Sequence, residues 1–242
     1  MTATRVLHQL TDSENRDAEL IEHVQRVRKE AGCTEAECYR SALDPQKVAI
    51  VELWQDQYAY GDYWTRVLSS ADPGPVLRSA SSQAQGESAS EFYRHQYFYP
   101  DPVWVAAGHK DRTQKIFWPA GDGVRVIIQT SMPNVDAALP ALLENMRETQ
   151  REPGCLQFEL LRSIEFPNHI LLLELWPSQQ IFDAHWQLRM KVGSDEEAPE
   201  PAPRQQGSNG MEFYRHQPFQ HLYDRWMPAE VTKRSETVIW PD

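Results

Sequence analysis

Apolar positions along the chain change period several times, and the changes occur twice in the same order. Arg5–Leu10 and Arg125–Thr130 are dense in Val, Leu and Ile and predict strands. Leu20, Ile21, Val24 and Val27 then fall on one stripe of a 3.6-residue period, predicting an amphipathic helix. Leu139, Leu142, Leu143 and Met146 form its counterpart, with Pro140 tolerable only near a first turn. Gly32 in "EAG" and Gly154 in "EPG" are natural helix stops. Two strands follow in each half, Thr34–Arg40 and Gln46–Trp54 around "LDP", then Leu156–Arg162 and Asn168–Trp176 around "FPN". "HILLLELW" is almost continuously apolar, as a strand buried on both faces requires. Asp56 and Ser178 are suited to cap second helices. Their apolar stripes are Tyr60, Tyr63, Trp64 and Val67, and Ile181, Phe182, His185 and Trp186. Each half closes on a short strand containing EFYRHQ, at Glu91–Gln96 and again at Glu212–Gln217.

The recurrence is a tandem duplication. "GCTEAECYRS" at Gly32–Ser41 answers "GCLQFELLRS" at Gly154–Ser163, and "ELW" at Glu52–Trp54 answers Glu174–Trp176. "FWP" at Phe117–Pro119 answers "IWP" at Ile239–Pro241 at the same spacing. The boundary falls near Pro119–Val124, giving domains over residues 1–120 and 121–242. Each domain carries a polar insert before its closing strand, residues 69–90 and 193–210, too poor in large apolar residues to form core. The element order is β-α-β-β-α-β, an α+β ferredoxin-like unit whose helices cover one sheet face. The second copy is the obvious cover for the other face, so the two units are expected to pair within one chain.

Composition narrows the classes of function. A net charge of -11 argues against a surface that tracks nucleic-acid phosphates. No apolar run is long enough to span a membrane, and the first residues lack the core of a signal peptide. Three cysteines without C-x-x-C spacing fit a reducing cytoplasm. His216 and His221 have metal-like spacing but no third ligand, so metal binding is not expected. Nucleotide-binding glycine motifs and the G-x-S-x-G hydrolase motif are absent.

The stretch Arg151–Met190 resembles the antibiotic biosynthesis monooxygenase (ABM) family. The resemblance lies in Glu-Pro-Gly-Cys before a strand, the polar "RS…PN" turn, an aliphatic strand ending Glu-x-Trp, and a helix carrying Ala-His. The first half keeps Gly32, Cys33, Arg40, Ser41, Glu52 and Trp54, but Tyr63 stands where the second has His185. The resemblance implies a dimeric α+β barrel, here intramolecular, with further homodimerisation open. It also implies oxidation of polycyclic aromatic polyketide intermediates of secondary metabolism, anthrones or hydroquinones, to quinones without a cofactor. O2 is then the co-substrate. The alternatives are a haem-degrading oxygenase, a polyketide cyclase or isomerase, and a non-catalytic barrel that binds an aromatic ligand.

Such chemistry needs a base, a group to hold the substrate oxygen, and an aromatic pocket. Strand alternation puts Glu91, Tyr93 and His95 on one face, and Glu212, Tyr214 and His216 likewise. His95, His216 and His185 are candidate bases, and Tyr93 and Tyr214 candidate partners of the substrate oxygen. The same groups could equally serve packing between the copies. Trp54, Trp176, Tyr63, Trp64 and Trp186 are candidate pocket walls. Glu52 and Glu174, inside apolar strands, must be paired or carry raised pKa values, and Arg40 and Arg162 are candidate partners. Cys33 and Cys155 read as small buried hydrophobes.

Overall fold

Two βαββαβ repeats run through the chain, as the period changes predict. The computed structural model describes residues 3–72, 74–76, 90–95, 98–100, 104–106, 123–189, 210–216, 218–222 and 225–228. The first repeat comprises β1 (Thr4–Thr11), α1 (Asp17–Val27), β2 (Cys33–Ser41), β3 (Lys47–Trp54), α2 (Gln57–Leu68) and β4 (Ser90–Arg94). A short pair, β5 (Phe98–Pro100) and β6 (Trp104–Ala106), follows. The second repeat comprises β7 (Val124–Ser131), α3 (Val135–Gln150), β8 (Gln157–Ser163), β9 (His169–Trp176), α4 (Gln179–Arg189) and β10 (Gly210–Arg215). Two further strands, β11 (Pro218–Leu222) and β12 (Arg225–Pro228), end the described chain.

These residues fall into two compact units, drawn from 1–95, 161–167 and 217–242, and from 96–160 and 168–216. In the first, antiparallel strands run β2-β3-β1-β4, extended by β11 and β12. Leu161–Ser163 add to its other edge, opposite Ser41–Tyr39. The following Glu165 is bound by Arg28 and Gln25 of α1, and the Arg28 guanidinium lies 5.4 Å from the centre of the Phe166 ring. In the second unit the order is β10-β7-β9-β8. Both are the fourth-first-third-second order of the ferredoxin-like fold.

Alternation along the strands decides what meets the helices. In the first unit Val6, Leu10, Ala36, Cys38, Val48, Ile50 and Trp54 pack with Leu20, Val24 and Val27 of α1 and Tyr60, Tyr63 and Trp64 of α2. Burying each such large apolar side chain contributes about 1.5–3 kcal/mol. Asp56 caps α2, its carboxylate accepting from the Tyr58 and Ala59 N–H groups, and the Ser178 hydroxyl accepts from Ile181 at the start of α4. Gly32 and Gly154 hold left-handed φ values of +84° and +87°. A Cβ there would lie 2.5 Å from Ala59 Cβ or 2.7 Å from Ile181 Cγ2, so these turns require both the left-handed conformation and a bare α-carbon.

Three expectations change. Val76, inside the first insert, is buried and joins the first core, so part of that segment does form core. α3 runs through Pro140 in its second turn, giving up the bond to the Asp136 carbonyl on an exposed face. The two short strands after the second EFYRHQ are not foreshadowed by apolar periodicity; β11 is instead recruited by the open edge of β4. Residues 77–89 and 193–209 of the inserts, the FWP and IWP blocks and most of the Pro119–Val124 boundary lie outside the described residues. Among the described residues no helix is long and apolar enough to cross a membrane.

Candidate active site

Both repeats build the same buried pair at the end of their third strand. The Trp54 indole N–H donates to Glu52 at 2.8 Å, and the Trp176 indole N–H donates to Glu174 at 2.9 Å. Residues two apart share a strand face, so Glu-x-Trp supplies its own hydrogen bond. Burial raises both carboxyl groups to about 7, against the opposing pull of the indole bonds. Each is therefore poised to exchange a proton near neutral pH.

The pairing of Glu52 with Arg40 is not what the register allows. Glu52 lies opposite Ala36 and Val6, whereas Arg40 lies opposite Val48. Arg40 binds Asp12 at 2.8 Å and also Asp17 and the Pro45 carbonyl. Arg162 sits opposite Arg40 on the neighbouring strand.

Around Trp54 the first unit is filled with aromatic rings. Tyr63 stacks on Trp54 at 5.1 Å, Tyr60 meets it edge-on at 5.6 Å, and Trp64 stacks on Tyr60. His8 Nδ1 lies 2.7 Å from Ser90 Oγ, and its Nε2 3.9 Å from Glu52. Burial, with the nearby His23, pushes His8 down to about 3. Leu10, Leu20, Val24 and Val76 close the space between α1 and the sheet.

The second unit differs at the corresponding positions. His185 replaces Tyr63 and stacks on Trp176 with centroids 4.4 Å apart and planes at 27°. Its Nδ1 lies 2.6 Å from Glu152 Oε2, and its Nε2 4.0 Å from Glu174 Oε2. Phe158 meets the imidazole edge-on at 5.9 Å. Phe182 packs against His185, Trp176, Trp186 and Phe213. Between α3 and the sheet lies a cavity of about 300 Å³, walled by Ile128, Leu142, Met146, Phe158, Leu160, Ile170 and Leu172, with Thr130, Asn145 and Met132 completing its lining. Where the first repeat buries Leu10 and Leu20, the second leaves Thr130 and Leu142 half-exposed.

The EFYRHQ residues are not gathered with this cluster. The Tyr93 hydroxyl donates to Glu91 at 2.6 Å, and that of Tyr214 to Glu212 at 2.7 Å. These tyrosines neighbour Arg5 and Arg125, on the sheet face opposite Trp54 and Trp176. His95 and His216 follow the strand ends, half-buried, and their backbone N–H groups donate to the Ala3 and Gly123 carbonyls. Burial raises the thiols of Cys33 to about 12 and Cys155 to about 11, leaving both as unreactive thiols. Among the described residues no group of three or more His, Cys, Asp or Glu is placed to hold a metal ion. Glu152 and Phe158, the neighbours of His185, carry no sequence signal of that role, although both lie inside the stretch that carries the family resemblance. His8 and Ser90 are brought together only by the β1–β4 register.

Comparison with solved structures finds an anthrone oxidase-like protein at 12% identity, covering 98% of this chain and 97% of the other, with a TM-score of 0.32. A monooxygenase-like protein from Listeria innocua matches at 12% identity, covering 88% and 94%, with a TM-score of 0.29. An aldoxime dehydratase in complex with butyraldoxime matches at 13% identity, covering 79% and 72%, with a TM-score of 0.42. No curated protein matches the sequence. The pattern of one family, antibiotic biosynthesis monooxygenase, matches residues 12–66 and again residues 126–189. With the duplicated ferredoxin-like fold, these two matches make the chain a member of the antibiotic biosynthesis monooxygenase family carrying its domain in tandem.

Proposed function

We propose that the protein is a cofactor-independent monooxygenase that oxidises a polycyclic aromatic of the anthrone or hydroquinone type to a quinone, using the second repeat. One observation carries the reading. In that repeat an apolar cavity of about 300 Å³ and a buried histidine backed by a carboxylate share the Phe158 ring. The volume sits at the low end for small-ligand sites, about 300–1,000 Å³, and the lining suits a flat, mainly apolar molecule. The first repeat, with Tyr63 in place of His185 and buried side chains between helix and sheet, is read as the structural copy.

The chemistry follows from the substrate. His185 accepts a proton from the acidic C–H of an anthrone, and the resulting anion reduces O2. A C–O bond forms to one oxygen atom, which stays as the quinone carbonyl, and the other leaves as water with the two hydrogens of the original CH2. The protein supplies the base, excludes bulk water and orients the ring. A positioned base of this kind contributes about 10²–10⁴ in rate. Turnover of 1,8-dihydroxyanthrone under 18O2 tests the reading. One labelled oxygen in the quinone, formed faster than without protein, is the expected result; unlabelled product, or the uncatalysed rate, overturns it.

A further inference from the structure

The turn between α3 and β8 places a carboxylate against His185. Glu152 is pinned there at both ends, its N–H donating to Thr149 O at 3.0 Å and its carbonyl accepting from Cys155 N–H at 3.1 Å. Its side chain is 14% exposed, and the histidine it meets is 6% exposed. We propose that Glu152 is a positioning residue for His185, fixing the ring with its proton on Nδ1 and leaving Nε2 as the proton-accepting nitrogen; this rests on His185 being the base.

The geometry gives the reason. A carboxylate can only accept, so the 2.6 Å contact requires hydrogen on Nδ1 of the neutral ring. Trp176 covers one face of the imidazole and Phe158 meets its edge, so the ring is held in the plane in which Nδ1 meets the Glu152 carboxylate. Nε2 stands 4.0 Å from Glu174, beyond hydrogen-bond distance. The first repeat supplies the contrast. Glu30 holds the place of Glu152 before Gly32, but with Tyr63 where the second repeat has His185, its carboxylate binds Arg66. The carboxylate is present in both repeats and meets a histidine only where the repeat has one.

The test is 15N NMR of protein labelled at its histidine side chains, with the His185 signals assigned by their loss in His185→Asn. The neutral wild-type ring is expected as the Nδ1–H tautomer, and Glu152→Ala is expected to shift it toward the Nε2–H form that free imidazole side chains favour. In oxygen uptake Glu152→Ala is expected to lower kcat about 10–100-fold with KM within about twofold, as loss of a group that orients a catalytic ligand does. Glu152→Gln should recover part of that loss, because its amide oxygen can still accept from Nδ1. An Nε2–H tautomer in the wild type, or a tautomer unchanged by Glu152→Ala, overturns the assignment whatever happens to kcat. Should Glu152→Ala fail to fold, the wild-type and Glu152→Gln spectra decide the matter. A wild-type protein that consumes no oxygen defeats the reading of His185 as the base, while the tautomer still reports on Glu152.

Discussion

His185 lies face to face with Trp176, ring centroids 4.4 Å apart, in the position where the first repeat stacks Tyr63 on Trp54. Duplication has kept the stacking and changed the chemistry of the ring that stacks. A tyrosine whose hydroxyl is pushed up by burial cannot take a proton near neutral pH, whereas an imidazole can. His185→Asn is therefore expected to lower kcat for anthrone oxidation by about 10²–10⁴ while leaving the far-ultraviolet circular dichroism unchanged. Full activity in this variant would remove His185 from the mechanism.

The cavity makes a separate prediction. Leu172 lines it and is only half-buried, so a larger side chain there can enter the cavity without overpacking the core. Leu172→Trp is expected to raise KM at least tenfold while changing unfolding free energy by less than about 1 kcal/mol. Unchanged KM in a folded Leu172→Trp protein would place the substrate elsewhere.

The glycines can be told apart by thermal unfolding. Gly32→Ala and Gly154→Ala put a methyl group within 2.5 Å and 2.7 Å of a neighbouring side chain, at positive φ. Each is expected to cost about 1–3 kcal/mol. Gly61, inside α2, has nothing within 4 Å of an added Cβ, so Gly61→Ala is expected to stabilise by about 0.5–1 kcal/mol.

Stability should depend on pH through two opposed pairs. Glu52 and Glu174 have folded values near 7, above their ordinary 4.5. Their contribution is complete below 4.5 and is lost as pH rises through about 7. His8 and His23, held by burial at about 3 and about 4 against an ordinary 6.5, do the reverse: their contribution is complete above 6.5 and is lost as pH falls through those values. Each group is worth up to about 1.4 kcal/mol per pH unit, so the pairs nearly cancel between about pH 4.5 and 6.5. Glu52→Gln combined with Glu174→Gln removes one side of that balance. Urea unfolding of the double variant is then expected to show stability rising by about 2–5 kcal/mol across this window. A flat profile in the double variant would mean that His8 and His23 titrate normally, and a wild type that rises as steeply as the double variant would mean that the two carboxyl groups do.

Local rules made much of the fold legible. The Asp56 and Ser178 caps, the Gly32 and Gly154 turns and the alternation of β3 and β9 each depend on residues close in sequence, so the chain displays them. Register is not local. Arg40 and Glu52 read as a plausible ion pair until the antiparallel pairing sets Arg40 opposite Val48, and Glu52 finds its donor two residues away in Trp54. Glu152 escaped notice for a related reason. The segment around it reads as a turn, which it is, and only the packing of α4 brings His185 onto that turn. The EFYRHQ repeat drew attention by its identity, yet its tyrosines are each held by the glutamate of their own strand. Val76 was hidden because one buried side chain in a polar segment leaves no periodic signal.

The central claim is most directly tested by oxygen uptake of the full-length protein supplied with 1,8-dihydroxyanthrone after treatment with a metal chelator. Consumption of one O2 per quinone, well above the protein-free rate and lost in His185→Asn, is the result expected. Uptake no faster than the protein-free rate, or equally fast with His185→Asn, would contradict the account.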